Sequence, residues 1–528
     1  MKRQLLQLLL AGLMLVTVNV AFGQGTTTSS INGRVTDTSG ETIPGATVLA
    51  VHTPSGSRYG NITNSDGFYR IPNMRVGGPY TVTITFIGYK EFKRENVYLT
   101  LGQAFKINAE LSETSVSLDD VEVVADRNSV FDGNRTGSET VVGLEQINAT
   151  PTVARAIGDF ARFTPQATID EGNDGFSISI GGQNNRLNSI YIDGAVNNDV
   201  FGLAGSGTNG GQTGVSPISI DAIEQFQIQV APFDVRVSGF AGGAVNAITR
   251  SGSNEIEGSA YRFWRNESFA GRTPRDTEGD RDRLDEFSAQ TYGVRVGGPI
   301  IKDKLFYFVN YEKQEDETPQ PFDFGDYEGD ATAGDITALR NYLGTFGGYD
   351  PGTISGNPVV LESDKLTAKV DYNINQNHKI SARYSYVKAD NIEGVRSSPR
   401  TLNFYNRSEA FLSKTNSLSA EWSSNYGSNI SNKLTFGYVS VRDDRDPMVD
   451  FPTVNIQDGV GSIRLGAEEF STANLLNQDV ITINNNFELY KGRHTYTFGV
   501  NAEFYDVENL FIGQNYGRYL FDSVNDFI

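Results

Sequence analysis

The side chains able to do bond-making or metal chemistry are few in this sequence, and they are far apart. There is no cysteine, and the only histidines are His52, His378 and His494. A zinc hydrolase needs His and Glu ligands clustered around an open metal position, and no such spacing is present. Asp170-Glu171-Gly172-Asn173-Asp174-Gly175 begins like a calcium loop, but Gly172 and Gly181 occupy the third and twelfth positions, where oxygen ligands are required. It reads as a solvated turn. No Gly-Lys dipeptide occurs, which removes the phosphate-binding P-loop. The formal charge of −20 argues against nucleic acid, whose phosphates need a basic surface. We therefore expect no catalytic residue, no metal and no cofactor, and look for a protein that binds or moves something.

The 528 residues suffice for two or three domains. Met1 to Gly23 carries Lys2 and Arg3, an apolar run from Leu8 to Val18 and a small-x-small end at Ala21-Phe22-Gly23. That is the pattern of a secretory signal peptide, since the apolar run is shorter than the ~20 residues a membrane helix needs. No later stretch is long and apolar enough to cross as a helix. Membrane residence would have to come from strands.

From Ser30 to Ser112, short runs of β-branched and aromatic residues (Ile31 to Val35, Thr47-Val48, Phe68-Tyr69, Tyr80 to Tyr89) are punctuated by Asp, Gly and Pro. This is the spacing of a β-sandwich. The segment resembles the carboxypeptidase regulatory-like domain, which implies a transthyretin-like sandwich of seven strands. The resemblance implies an accessory domain touching glycan or a periplasmic partner, because the metal cluster of a peptidase is missing.

Phe176 to Gly194 contains two β-prone runs, Ser177 to Ile180 and Ile190 to Ile192, which we read as strands of one compact sheet. In Ile223 to Gly252, Phe226, Ile228 and Val230 alternate with Gln225, Gln227 and Gln229, the mark of a half-buried strand. Gly239, Gly242 and Gly243 then allow close backbone packing. Ile192-Asp193-Gly194, Ile223-Glu224 and Gly242-Gly243-Ala244-Val245-Asn246-Ala247-Ile248-Thr249 resemble, in order and spacing, the plug domain of TonB-dependent outer-membrane transporters. The resemblance implies a mixed α/β plug over residues 139–252, with Gly181, Gly182, Arg186, Asp193, Gly194, Glu224, Gly242 and Gly243 as its motif residues. The glycine-rich run Gly202 to Gly214 would be an outward-facing plug loop in reach of ligand. Val230-Ala231-Pro232 stands where the family usually has Arg-Gly-Pro, which points to the Oar-like or SusC-like branch.

Between sandwich and plug lies Val116 to Ala125. Its alternation of Val with acidic residues fits an ordinary edge strand. It also resembles the TonB box of SusC-like transporters, which assigns TonB binding to Leu118, Asp119, Asp120, Val121, Glu122, Val123, Val124 and Ala125. An extended segment of this kind can add to the edge of a partner's sheet and be pulled. The polar stretch Asp126 to Ser138 would supply slack.

After Ser253 the texture changes. Leu366, Ala368, Val370, Tyr372 and Ile374 alternate with Thr367, Lys369, Asp371 and Asn373. Past a short turn, Ile380, Ala382, Tyr384 and Tyr386 alternate with Lys379, Ser381, Arg383 and Ser385, and the pattern recurs around Trp422, Phe436 and Phe498. Strands apolar outward and polar inward are what a lipid-embedded barrel requires. Short turns alternate with long polar connections at Lys313 to Asp364, Ala389 to Ser413 and Arg442 to Val480, the asymmetry of an outer-membrane barrel.

The fold class is thus all-β dominated: a transthyretin-like sandwich (30–112), a mixed α/β plug, and the first part of an antiparallel transmembrane β-barrel (253–528) that the resemblance puts at 22 strands. About nine strands are legible, and a barrel closes with an even number, so the sequence reads as an N-terminal fragment. The implied function is TonB-dependent active transport across the Gram-negative outer membrane. The alternative is passive adhesion or surface binding. The implied partners are TonB with its inner-membrane complex, outer-membrane lipid, an extracellular substrate such as a glycan or peptide, and a surface lipoprotein lid. Expressed alone, these residues should give no heat-modifiable, protease-resistant outer-membrane species, because an unpaired strand edge is costly in lipid. Recovery of a closed monomeric barrel would refute the strand count.

Overall fold

The computed structural model describes residues 26–114, 138–152, 155–172, 175–237, 239–272, 283–492 and 494–528. The signal peptide and the segment Leu118 to Ala125 lie outside these residues.

The N-terminal unit consists of two four-stranded sheets. Its strands are β1 (Ser29–Asp37), β2 (Thr47–His52), β3 (Ser57–Ile62), β4 (Phe68–Met74), β5 (Gly77–Thr85), β6 (Phe92–Leu99), β7 (Ala104–Lys106) and β8 (Ala109–Leu111). One sheet runs β3-β2-β5-β6; in the other, β4, β7 and β8 all pair with β1. Alternating inward residues such as Ile31, Val35, Val48, Ala50, Tyr80, Val82 and Ile84 form the core between them. There are eight strands where seven were expected. The last one is interrupted at Ile107 and Asn108, where the Ile107 carbonyl accepts from the Tyr69 hydroxyl (2.8 Å) and Asn108 Oδ1 from the Arg34 amide (3.1 Å). A Cβ at Gly33 would sit 1.7 Å from the Ile107 carbonyl oxygen, so this close crossing requires glycine.

The central unit holds β9 (Ser138–Gly143), α1 (Leu144–Ala149), α2 (Ile157–Ala161), β10 (Ala167–Gly172), β11 (Gly175–Ile180), β12 (Ser189–Ile192), β13 (Ala195–Val196), β14 (Ile223–Val230) and β15 (Gly243–Thr249). Five of these strands form a mixed sheet in the order β13-β12-β15-β14-β9, while β10 and β11 make a separate ribbon. The two runs 177–180 and 190–192 therefore belong to different sheets. The turn through Gly181 and Gly182, both at positive φ, carries the chain out of the ribbon before β12 begins. Phe160, Phe226, Ile228, Ile192 and Val245 fill the core. The glutamine face of β14 is buried as well: the side chain of Gln225 accepts from the Leu101 amide (2.7 Å), and that of Gln227 donates to the Leu101 carbonyl (3.3 Å). The strand is covered on both faces because the sandwich sits on the polar one.

The third unit is a nine-stranded antiparallel sheet. In order it comprises β16 (Glu257–Asn266), β17 (Ser288–Ile301), β18 (Leu305–Thr318), β19 (Val359–Asn373), β20 (His378–Glu393), β22 (Glu409–Tyr426), β23 (Ile430–Pro447), β26 (Asn474–Lys491) and β27 (His494–Phe511). It curves around the central unit and is not closed. The alternation has the expected sense. Ser363, Lys365, Thr367 and Lys369 are buried toward the central unit, whereas Val370, Tyr372, Ile380, Trp422, Phe436 and Ile483 are exposed on the outer surface.

The long connections lie at one end of this sheet, and they are folded. They supply α3 (Ala333–Leu343), β21 (Thr401–Asn403), β24 (Thr453–Asp458) and β25 (Gly461–Leu465), and the stretch after β27 adds β28 (Arg518–Phe521) and α4 (Val524–Phe527), giving a four-stranded sheet ordered β21-β25-β24-β28. Helix α3 is started by a capping box between Thr332 and Asp335. It buries Ile336, Leu339 and Leu343, one face at helical spacing, against Leu402, Phe404, Ile456 and Leu465. Truncating Leu339 to Ala in the full-length protein should destabilise this cap by about 2–5 kcal/mol. Limited proteolysis should then cut the 319–358 connection while the strands stay resistant; simultaneous loss of both would mean that cap and sheet fold as one unit.

Candidate functional site

The contact between central unit and curved sheet is built from the Asp193-Gly194 turn. Tyr191 pairs with Val196 and Ile192 with Ala195, so β12 and β13 are joined by two residues. Both have positive φ, +46° at Asp193 and +75° at Gly194. Such a tight turn favours Asp-Gly, and here it points the aspartate into the sheet wall. Asp193 Oδ1 accepts from the Thr249 amide (2.9 Å) and Oδ2 from the Thr249 hydroxyl (2.6 Å). Arg383 Nε lies 2.9 Å and Lys369 Nζ 3.5 Å from the same carboxylate. Lys369 also donates to the Thr249 carbonyl (3.0 Å), and Ser419 Oγ donates to the Asp193 carbonyl (2.8 Å).

Burial by itself pushes the Asp193 carboxyl up, but Lys369, Arg383 and the two Thr249 donors outweigh it and hold the group below the usual carboxylate range. The ionised form is thus built into the contact.

A second polar contact sits on β18. Glu312 accepts from Lys365 Nζ (3.0 Å), from the Tyr261 hydroxyl (2.8 Å) and from Ser219 Oγ of the central unit (2.8 Å). Nearby, Arg155 pairs with Asp221 and lies over the Phe263 ring at 4.1 Å. A third joins Arg236 Nη1 to Glu488 Oε1 on β26 (3.3 Å).

Of the residues singled out in the sequence, Asp193 and Gly194 form the first contact. Gly243 lies at the other end of β15, opposite Val230 of β14 and away from this contact; a Cβ there would meet the Gln229 carbonyl at 2.5 Å. Gly242 packs against Asn188 and the Ile180 carbonyl in the same way. Glu224 is half-buried and lines, with Asp193, a cavity of about 110 Å³ between the three units. Arg186 is exposed and takes no part in the ionic contacts of Asp193. The Gly202 to Gly214 run packs on the wall near the end that carries the long connections, where Gln212 Nε2 donates to Asp443 Oδ2 (2.7 Å). Lys369, Arg383, Glu312 and Lys365 were not singled out. Their signal was present, as charges in the inward phase of alternating strands.

Three family models cover this arrangement. Residues 30–112 match the carboxypeptidase regulatory-like domain, 132–245 the TonB-dependent receptor plug domain, and 248–359 with 337–527 an outer membrane beta barrel domain. The chain belongs to the TonB-dependent outer-membrane receptors. The curved sheet is therefore barrel wall, its exposed apolar rows face lipid, and the long connections face the cell exterior.

The TonB-dependent transporter Oar of Myxococcus xanthus is 27% identical over 313 residues, covering 56% of this chain and 27% of its own length. The probable TonB-dependent siderophore receptor PirA of Acinetobacter baumannii is 31% identical over 190 residues, 33% of this chain and 23% of its own. The outer membrane transporter YddB of Escherichia coli shares the fold with a TM-score of 0.50 at 13% identity, covering 70% of this chain and 48% of that one. The chain thus spans about a quarter of the curated relatives and about half of the solved one.

Replacing Asp193 with Asn in the full-length receptor leaves Lys369 and Arg383 buried without their counter-ion, which should weaken plug docking by about 3–5 kcal/mol. Because the folded pKa is depressed, the Asp193 contribution is fully present above the ordinary carboxylate value and is lost only as pH falls below about 4. Protease protection of the plug, followed against denaturant and pH, checks both. Unchanged protection in D193N would show that the ion pairs contribute nothing net.

Proposed function

We propose that the full-length receptor imports its substrate through the barrel when the plug is displaced by energy delivered through TonB. The observation that carries this reading is the polarity of the plug seat. Among the described residues, Phe308 is the one wall residue in the main plug core and a small apolar patch joins Val200 to Val439, Val441 and Val480; otherwise the plug is held by Asp193, Glu312 and Arg236 contacts against a mainly polar inner surface. Polar contacts exchange with water when the plug shifts, whereas a shared apolar core would resist it. The wall would close at 22 strands, as the family resemblance implies, and the sandwich would be of the transthyretin-like type.

In this reading the unit boundaries are 30–112, 139–252 and 253–528. Leu118 to Ala125 is the TonB-binding strand, and Gly181, Gly182, Arg186, Asp193, Gly194, Glu224, Gly242 and Gly243 are the residues that shape and seat the plug. Glycan and peptide are the substrate classes we favour, with a surface lipoprotein lid as an accompanying partner; ferric siderophore is the class suggested by the name of the Acinetobacter relative. Growth of a deletion strain on single nutrient and iron sources separates these.

Coupling is tested by replacing Val121 or Val123 with Pro in the full-length receptor, which removes a backbone donor and fixes φ, blocking strand addition. Surface binding of substrate should be kept and energy-dependent uptake lost. Normal uptake would place the coupling strand elsewhere, and joint loss of folding and binding would make 116–125 an ordinary structural strand.

A further inference from the structure

The N-terminal sandwich lies at the short-turn, periplasmic end of the wall, and it touches both plug and wall. The two interfaces differ in kind. Against the plug, Val76 and Leu101 of the sandwich form a buried apolar cluster with Ile248 of β15. Around it, the Leu101 backbone is hydrogen-bonded on both sides by buried Gln225 and Gln227, and the Arg75 guanidinium donates to the carbonyls of Gly252 (3.2 Å) and Ser251 (3.3 Å).

Against the wall the contacts are polar. Asn373 Nδ2 donates to Ser57 Oγ (2.8 Å), Lys379 Nζ donates to the Arg58 carbonyl (3.3 Å) and lies 4.2 Å from the Tyr59 ring centre. Asn73 meets Asn425 at 3.4 Å, Arg70 meets Thr495 at 3.2 Å, and Lys433 donates to Thr27 and Thr28 (2.7 and 2.8 Å). Among the described residues, no buried apolar cluster joins sandwich to wall. The cavity of about 110 Å³ also lies on this seam, with Tyr59 and Arg75 of the sandwich, Asp193 and Glu224 of the plug, and Lys369 and Asp371 of the wall around it.

We propose that sandwich and plug move as one body, and that the sandwich is a latch on the periplasmic mouth whose polar seam with the wall must part before the plug can leave its seat. Separating the apolar, buried interface exposes Val76, Leu101 and Ile248 and strips Gln225 and Gln227 of their bonds to the Leu101 backbone; separating the wall seam hands polar groups to water. The lower-cost line of separation is therefore sandwich from wall. The inference rests on the reading that the stretch joining sandwich to plug is the one that is pulled. Tension there reaches both units at once, because it enters at the end of one and the start of the other.

These 528 residues contain no cysteine, and any cysteine in the rest of the full-length receptor is first replaced by serine. Full-length receptor in a supported bilayer is pulled through a biotin-acceptor peptide inserted between residues 115 and 137, which imposes the force whether or not TonB supplies it in the cell. Two kinds of thiol pair are closed with a short methanethiosulfonate cross-linker: S57C/N373C, with N73C/N425C as a second variant, bridges sandwich to wall, and V76C/I248C bridges sandwich to plug. Closing either wall pair should abolish plug release at forces that release it in the reduced protein, and reduction should restore it. Closing V76C/I248C should leave the release event unchanged. Plug release persisting with the wall pairs closed, or suppressed by the V76C/I248C bridge, would overturn the proposal. Failure of nutrient uptake in cells would instead bear on the transport reading, since the pulling measurement involves no substrate.

Discussion

The buried charge at Asp193 is the constraint from which most of this architecture follows. A carboxylate removed from water costs several kcal/mol unless partners replace its hydration, and Asp193 finds them in Thr249 of its own unit and in Lys369 and Arg383 of the wall. The partners in turn cannot be left alone, because two cations on the inner face of β19 and β20 would otherwise stand unpaired. Plug and wall are thus each incomplete without the other, although the apolar contact between them is small.

That arrangement is a consequence of where the apolar surface has gone. Each wall strand spends most of its apolar side chains on the outside, with Val370, Ile380, Trp422 and Phe436 exposed there, so the inner face offers mainly Ser, Thr, Asn and charged side chains, with Phe306, Phe308, Val439, Val441 and Val480 as its buried apolar members. What fills the interior is therefore held largely through hydrogen bonds and ion pairs, which fix orientation closely yet exchange with water at modest net cost. The sandwich contrasts with this. It meets the plug through Val76, Leu101 and Ile248 and covers the glutamine row of β14, so among the described residues the sandwich shares with the plug a buried apolar patch that it does not share with the wall.

At the outer end the same economy of surface applies in reverse. The connections between strands read as long and polar, yet they contain apolar residues spaced far apart in sequence, including Leu339, Leu402, Phe404, Ile456 and Leu465. None of these could bury itself within its own loop. Brought together by the strand order, they form a core and a small sheet, and Tyr349 stacks on Phe451 with ring centres 4.1 Å apart. The exposed face of the receptor is therefore a folded body held by several connections at once.

The features that depend on near neighbours were legible in the sequence. Period-two alternation gave the wall strands and the sense in which they face, because a strand's two faces are set by residue parity alone. Asp193-Gly194 marked a tight turn, and Gly242-Gly243 marked a close backbone approach, because positive φ and the absence of Cβ are local requirements. The features decided only in three dimensions are those in which distant residues settle each other's environment. Gln225 and Gln227 looked solvent-facing until Leu101 covered them, Ser177 to Ile180 left the sheet of Ile190 to Ile192 for a ribbon with 167–172, and Lys369 and Arg383 looked like any polar wall residues until the Asp193 turn met them. Alternation states that a side chain points inward; it carries no information about which group, 176 or 190 residues earlier in the chain, will be waiting there.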